Sequence, residues 1–307
     1  MLSPRVLHYV EEIARCGSIR RAGQTLNIAP SAINRQLIAL EEQLGIKLFE
    51  RLPRRMRLTA AGEVLIAHAR EAVGAERRVL DEIEALKGGA VSHCSIGTVA
   101  GVAGDLLAHS LAEHRRTEPG ICFSVRVTTA ENVAAAVAAG EIDIGFAFDL
   151  PRFARTTVAA SVRMPCGVVV SPDHPLAVRS HVHLHEISRF PLLLPRPGVT
   201  VRNSIDNAAW RAGLTLRPAV ESDDFDFLRR CTALDDGVAV LNFVDVLHSS
   251  RDGRCVFLPL VDLRGFTQEL AVMHCAQTRP SRSTRLVIER LATLLSSLPA
   301  ESRRAAE

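Results

Sequence analysis

The first 45 residues carry a helical pattern cut by glycine, serine and proline, and that punctuation leaves few folds open. Leu7, Val10, Ile13 and Ala14 recur at helical spacing and predict an amphipathic helix over 5–15. Gly17 ends it, and Ser18 caps a second helix, Ile19 to Leu26. Asn27 suits the stop, because asparagine tolerates left-handed backbone. Pro30 fits the first turn of a third helix, where its missing N–H costs little. Ile33, Leu37, Leu40 and Leu44 share one face of that helix, and Gly45 closes it. Two short helices joined by a tight turn form a helix-turn-helix. Its second helix enters the major groove by its N-terminal part. There the solvent-facing residues are Ser31, Asn34, Arg35 and Ile38. Asparagine pairs with adenine and arginine with guanine, each through two hydrogen bonds. Residues 48–59, Leu-Phe-Glu-Arg-Leu-Pro-Arg-Arg-Met-Arg-Leu-Thr, read as a hairpin wing. Its arginines suit phosphates or a narrow minor groove.

Charge supports the same division. The 307 residues carry a net charge of only +3. Residues 1–59 hold ten cations and five acids, residues 60–87 hold four and six, and the remaining 220 hold 23 of each. The positive excess therefore sits on the helix-turn-helix, as expected of a nucleic-acid module joined to a neutral body.

Further residues make the pattern specific. Gly17-Ser18-Ile19, Ala22, Leu26, Ala32 to Leu37, Leu40-Glu41, Leu44-Gly45, Leu48-Phe49-Glu50-Arg51, Arg55 and Leu58 to Gly62 resemble the N-terminal domain of LysR-type transcriptional regulators, nearly continuously from Leu7 to Gly62. The resemblance implies a winged helix-turn-helix that binds double-stranded DNA as a homodimer or homotetramer. The DNA-contacting set is then Arg20, Pro30, Ser31, Asn34, Arg35, Arg51, Arg54, Arg55, Arg57 and Thr59. Glu41 and Glu42 read as structural partners of arginines. Two departures stand out. Gly23 replaces the family's usual alanine, at a helix-propensity cost of about 1 kcal/mol. Ala29-Pro30-Ser31 replaces Ser-Gln-Pro, which removes a capping hydroxyl and a side chain that often reaches bases.

Residues 60–87 contain no proline, and Leu65, Ala69, Ala72, Glu76, Val79, Ile83 and Leu86 follow a 4-3-4-3 spacing. Such a seam lets two helices pair; packing on the chain's own body is the alternative. The resemblance favours a linker helix that dimerises through Leu65, Ala72, Val79, Ile83 and Leu86. Gly88-Gly89 then breaks the helix.

From Val91 strands and helices alternate. The expected strands include Ile121 to Thr128, Ile142 to Phe148 and Met164 to Val170, with a glycine-rich loop over Thr98 to Gly104 and a helix from Asp105 to Arg116. This order argues an α/β domain. Gly140 to Ile144, Asp173-His174-Pro175-Leu176, Gly198-Val199-Thr200, Gly213-Leu214, Glu221 and Asp236 to Ala239 resemble the effector-binding region of the same regulators. The chain is thus expected to be α/β overall: a winged helix-turn-helix over 1–59, a linker helix over 60–87, and a bilobed, type 2 periplasmic-binding-protein-like domain over 88–307. The resemblance implies one lobe of about 91–162 and 268–298, a second of about 163–267, and an effector in the cleft between them. Thr98, Val99, Gly101, Thr129, Phe146 and Phe148 are the candidate lining on one side, and Thr200 and Arg202 on the other. N–H groups at a helix start favour an anion, which suggests a small carboxylate or similar polar metabolite. Each threonine serves equally as a helix cap, Arg202 as a surface salt bridge, and the phenylalanines as core. Asn242 stands where the family commonly has proline.

Other classes fall away. No run of 18 apolar residues predicts a membrane span. The start, Met1 to Glu12, has no apolar signal core, so a cytoplasmic protein is expected. The seven cysteines are scattered without CxxC, against disulfides or a zinc cluster. Only Cys231, beside Arg229 and Arg230, has neighbours that favour a thiolate. Gly97 to Gly104 lacks the ending of a phosphate-binding loop. His181, His183 and His185 alternate but fall in an expected loop, so no metal, cofactor or catalytic residue is assigned. The function expected is a ligand-responsive transcriptional regulator on a (pseudo)palindromic operator, with RNA polymerase as a partner that this role allows. The alternatives are a molybdate-type sensor on the same reader, and an enzyme or solute-binding protein fused to one.

Overall fold

The computed structural model describes residues 3–52, 55–86, 92–234 and 237–298. The chain divides into two compact units, Met1–Ser92 with Ala138–Glu141, and His93–Val137 with Ile142–Glu307.

The first unit holds α1 (Pro4–Cys16), α2 (Ile19–Leu26), α3 (Pro30–Leu44), the hairpin β1 (Phe49–Leu52) and β2 (Arg55–Leu58), and α4 (Ala60–Leu86). Its helix ends follow the local signals. Gly17, Asn27 and Gly45 all adopt left-handed backbone, and the Ser18 side chain accepts from Arg21 N. Ala29 gives α3 no side-chain cap, and Pro30 fills its first turn. Leu7, Val10, Ile13, Ala22, Ile33, Leu37, Leu40, Leu48, Ile66 and Ala69 form one core.

The structure revises the reading of Gly23. A Cβ there would lie 2.7 Å from the Ile28 carbonyl oxygen and 3.0 Å from Pro30 Cγ. The turn carrying Pro30 folds directly over α2, so the two departures in this motif are one adjustment: the Ala29-Pro30 turn occupies the space of a methyl group at 23. Glu41 is likewise structural, although its cation is a lysine. Its carboxylate accepts from Lys47 Nζ (2.8 Å), Leu48 N (2.9 Å) and Phe49 N (3.3 Å) and so ties α3 to the wing. Burial raises its pKa, but Lys47 and the two amides outweigh burial and hold the carboxyl below its ordinary value.

The second unit is built on a nine-stranded sheet. Its strands are β3 (Ser92–Thr98), β4 (Ile121–Val127), β5 (Ile144–Phe148), β6 (Thr156–Val170), β7 (Leu192–Pro195), β8 (Pro218–Ser222), β9 (Val238–Asn242), β10 (Val256–Pro259) and β11 (Thr267–Cys275). They run in the order β4-β3-β5-β11-β6-β9-β7-β8, with β10 also on β6. The long strand β6 changes partners along its length. Thr156 to Pro165 pair with β11, whereas Cys166 to Val169 pair with β9. Two main cores result. One gathers Ile96, Leu106, Ile144, Phe146, Leu270, Val272 and Leu291, and the other Val168, Val170, Leu184, Leu194, Ile205, Val240 and Leu258.

Where β6 changes partners, Gln268 is buried. Its Nε2 donates to Asp149 Oδ2 (3.0 Å), and its Oε1 accepts from Asn242 Nδ2 (3.4 Å) and Cys166 Sγ (3.6 Å). Asn242 thus supplies, where the family commonly has proline, an amide to this junction.

The expected glycine-rich loop over 98–104 is a correction. The chain there is helical: α5 (Ala100–Val102), a π-helical turn (Ala103–Leu107), then α6 (Ala108–Thr117). Gly101 is required because its backbone abuts the Asp245 carboxylate, leaving no room for a Cβ. The remaining α-helices among the described residues are α7 (Ala130–Ala138), α8 (Leu184–Ile187), α9 (Thr200–Arg211), α10 (Phe225–Cys231), α11 (Leu247–Arg251) and α12 (Arg282–Ser297). Among the described residues no helix is long and apolar enough to cross a membrane.

Two outcomes follow for the first unit. Gly23→Ala should lower the thermal midpoint of the full chain, although helix propensity alone favours alanine by about 1 kcal/mol; a raised midpoint would remove the steric account. Glu41→Ala should cost about 1–3 kcal/mol in urea unfolding at neutral pH, the usual cost of orphaned buried amides. Because the folded pKa is depressed, Glu41's contribution is fully present above the unfolded value near 4.5. It is lost as pH falls through the folded value. The penalty of the substitution should therefore shrink in strong acid.

Candidate nucleic-acid interface and ligand region

Pro30, Ser31 and Arg35 are exposed on the first turns of α3, and Arg20 is exposed on α2. Asn34 is half-buried, and its Oδ1 accepts from Arg51 Nη2 at 2.9 Å. A strand of the wing thus fixes the orientation of a base-reading side chain. One oxygen lone pair and the Nδ2 group stay available to a base edge.

The wing itself is only partly as expected. Arg51 and Arg55 are exposed. Arg57 is spent on its cross-strand neighbour Glu50, with Nε and Nη2 at 2.9 and 2.6 Å from Oε2. Thr59 is a cap: its hydroxyl donates to Lys47 O (2.7 Å) and accepts from Gly62 N (3.1 Å). Arg54 lies outside the described residues.

The linker seam is corrected in its first half. Leu65 and Ala69 are buried, and Ala72 half-buried, against the core that contains α1 and α3. Apolar residues close to α1 are claimed by the chain's own body before any partner reaches them. Further along α4 the picture changes. Val79, Leu80 and Ile83 are exposed at 56, 55 and 44%. The Leu86 side chain is outside the described residues.

In the second unit, the ends of β3 and β4 lie side by side, with Thr128 N donating to Thr98 O at 2.9 Å. That brings Thr98, Val99 and Thr129 together. Thr98 is fully buried, and its hydroxyl donates to Phe146 O at 2.7 Å. Phe146 and Phe148 pack in the core. These three residues are therefore corrected to structural roles, because β5 is buried on both faces between β3 and β11. Gly101 is buried against Asp245. Thr129 is exposed and accepts from Asn132 N at 3.4 Å, and Thr200 is exposed at the start of α9.

Arg202 is not an open anion receptor. Its Nε donates to both oxygens of Asp206 (2.9 Å each), and its Nη1 to Pro195 O (2.9 Å) and Glu221 Oε1 (2.5 Å). It clamps α9 to the ends of β7 and β8. Glu221, a landmark of the resemblance, is one of its partners.

The sequence reading missed the acidic residues around α5. Asp105 and Asp245 are both buried. Burial pushes the Asp245 carboxyl up to about 7, against the donated Asn242 amide and helped by the Asp105 charge. No periodicity marks either residue: Asp245 meets Gly101 and Asp105 meets His248, each more than a hundred positions away, and only the Asn242 amide bonded by Asp245 is local. The arginines beside Cys231 pair instead with Asp226.

Comparison with known proteins agrees with this architecture. Residues 4–63 match the family model "Bacterial regulatory helix-turn-helix protein, lysR family", and residues 87–296 match "LysR substrate binding domain". The chain is 26% identical over 267 residues to the RuBisCO operon transcriptional regulator of Allochromatium vinosum, covering 86% of each. A full-length OxyR variant from Pseudomonas aeruginosa shares the fold, with a TM-score of 0.71, 19% identity and 95% of each chain covered. CbnR in complex with its target DNA does so with a TM-score of 0.61, 19% identity and coverage of 96% of this chain and 100% of that one. With both of its units matched in this way, the chain belongs to the LysR family of transcriptional regulators.

Proposed function

We propose that this regulator reads a (pseudo)palindromic operator with the N-terminal turns of two α3 helices, brought together by α4. The observation that carries this is the Arg51–Asn34 bond beside the exposed Ser31 and Arg35. It pre-orders a donor–acceptor group at the end of the helix that enters the major groove. Arg20, Arg55 and Arg54 supply phosphate contacts, which position the protein without reading sequence. Val79 and Ile83, exposed along one stretch of α4, are the apolar seam for a homodimer, from which a homotetramer is one further step. An activating output requires a contact with RNA polymerase in addition.

The sensing part takes a small polar ligand between the two lobes of the second unit, divided as about 91–162 with 268–298 and about 163–267. Val99 and Thr129 on one side and Thr200 on the other are the residues left for this role once Thr98, Phe146, Phe148 and Arg202 are accounted for. Helix starts at Ala100, Ala130 and Thr200 favour an anion, and a small carboxylate fits that field. A ligand that prefers one lobe arrangement shifts the population of assemblies, and with it the spacing of the DNA-reading heads.

Two measurements test this. In DNA titrations, Arg35→Ala should weaken binding and flatten the preference among operator variants, at about 1–3 kcal/mol for one lost bidentate contact. Arg54→Ala should weaken all sequences alike and reduce the salt slope; an unchanged operator preference in Arg35→Ala would remove the base contact. In a thermal-shift screen of the full chain, small carboxylates should raise the midpoint by mass action. Reproducible hits confined to neutral apolar compounds would contradict an anion site.

A further inference from the structure

Asp105, His109 and His248 stand outside every role assigned above, yet they converge. Asp105 lies in the π-helical turn, His109 one turn on in α6, and His248 in α11. One ligating atom from each lies within 4.8 Å of the others. The π turn is itself a local irregularity of a kind concentrated at functional sites.

The protein already orients these groups. His248 N donates to Asp105 Oδ2 at 2.7 Å, and Ser249 Oγ to Oδ1 at 3.5 Å. His109 Nδ1 is 2.6 Å from the Asp105 main-chain oxygen. A carbonyl oxygen only accepts, so Nδ1 carries the proton and Nε2 keeps its lone pair. A backbone carbonyl fixing the tautomer in this way is the usual support of a metal-binding histidine. His248 Nδ1 is buried without a hydrogen-bond partner, 3.7 Å from Asp105 Oδ2.

We propose that Asp105, His109 and His248 bind one divalent transition-metal ion of the zinc class. Two imidazoles and one carboxylate suit Zn²⁺ with a fourth position left to water or another small ligand. The two rings now stack, with centroids 3.8 Å apart and planes 4° apart. No in-plane point is shared by rings stacked in this way, so binding requires the His109 ring, whose side chain is 46% exposed, to leave both the stack and its bond to the Asp105 carbonyl. The bound ion fastens α11 to the π turn. α11 begins five residues after Asn242, which bonds Gln268 where β6 changes partners.

The test is a Co²⁺ titration of the reduced, metal-stripped full chain, followed by visible ligand-field absorption, with Zn²⁺ as competitor. We expect one saturable equivalent, displaced by Zn²⁺. His109→Ala and His248→Ala should each weaken it by at least about tenfold, a ligand mattering no less than a supporting group. His183→Ala, which removes the half-buried central member of the trio His181, His183 and His185, should leave it unchanged. His109 is exposed enough that its loss leaves the fold intact, and an unaltered circular dichroism spectrum checks this. No saturable binding, equal binding in His109→Ala, or loss in His183→Ala instead would overturn the assignment.

Discussion

Carboxylates that accept main-chain N–H groups hold the junctions of this protein. Glu41 takes the amides of Leu48 and Phe49 and fixes the wing to α3. Asp143 takes Ser95 N at 2.8 Å and joins β5 to β3. Asp149 takes Glu269 N at 3.0 Å, Asp262 takes Leu184 N at 2.8 Å, and Asp105 takes His248 N. These bonds lie at the first residues of a strand or helix, or beside the ends of β5, where pairing with that strand stops. An orphaned buried amide costs about 1–3 kcal/mol, and an ionised acceptor makes a stronger bond than a neutral one. The acids therefore act as fasteners between elements distant in sequence, and the neutral balance of the second unit conceals that work.

The second constraint is geometric. A single strand, β6, belongs to two sheets' worth of pairing, with β11 on one side of Pro165 and β9 beyond it. Gln268, Asn242, Cys166 and Asp149 gather at that point. On the proposed division into two lobes, a change in their angle would bend the chain here and load these hydrogen bonds.

The parts of the fold visible in the sequence were those set by neighbours a few residues away. Gly17, Ser18, Asn27, Pro30 and Gly45 punctuate the first unit as their backbone preferences dictate. The rest was hidden for identifiable reasons. Gly23 reads as a propensity cost until the Pro30 turn is seen to fill its Cβ space. Leu65 and Val79 fit the same seam, but only proximity to α1 decides that one is core and the other exposed. Residues 156–163 are too rich in Ala, Ser and Thr to announce the first half of β6. Gly101 and Gly104 imitate a loop, although Gly101 serves close packing against Asp245. Arg202 offers its charge to any anion on paper and is committed to Asp206 and Glu221 in space.

The central claim is that sequence reading belongs wholly to the first unit, through α3 and the wing that Glu41 and Arg51 fasten to it. Amide hydrogen exchange of the full chain, with and without a DNA fragment selected by the protein, tests it most directly. The account predicts added protection in residues 30–38 and 48–59, and none in β6, β9 or β11 beyond what assembly produces with a non-specific fragment. Protection by the selected fragment confined to residues 93–298, with α3 unchanged, would contradict it.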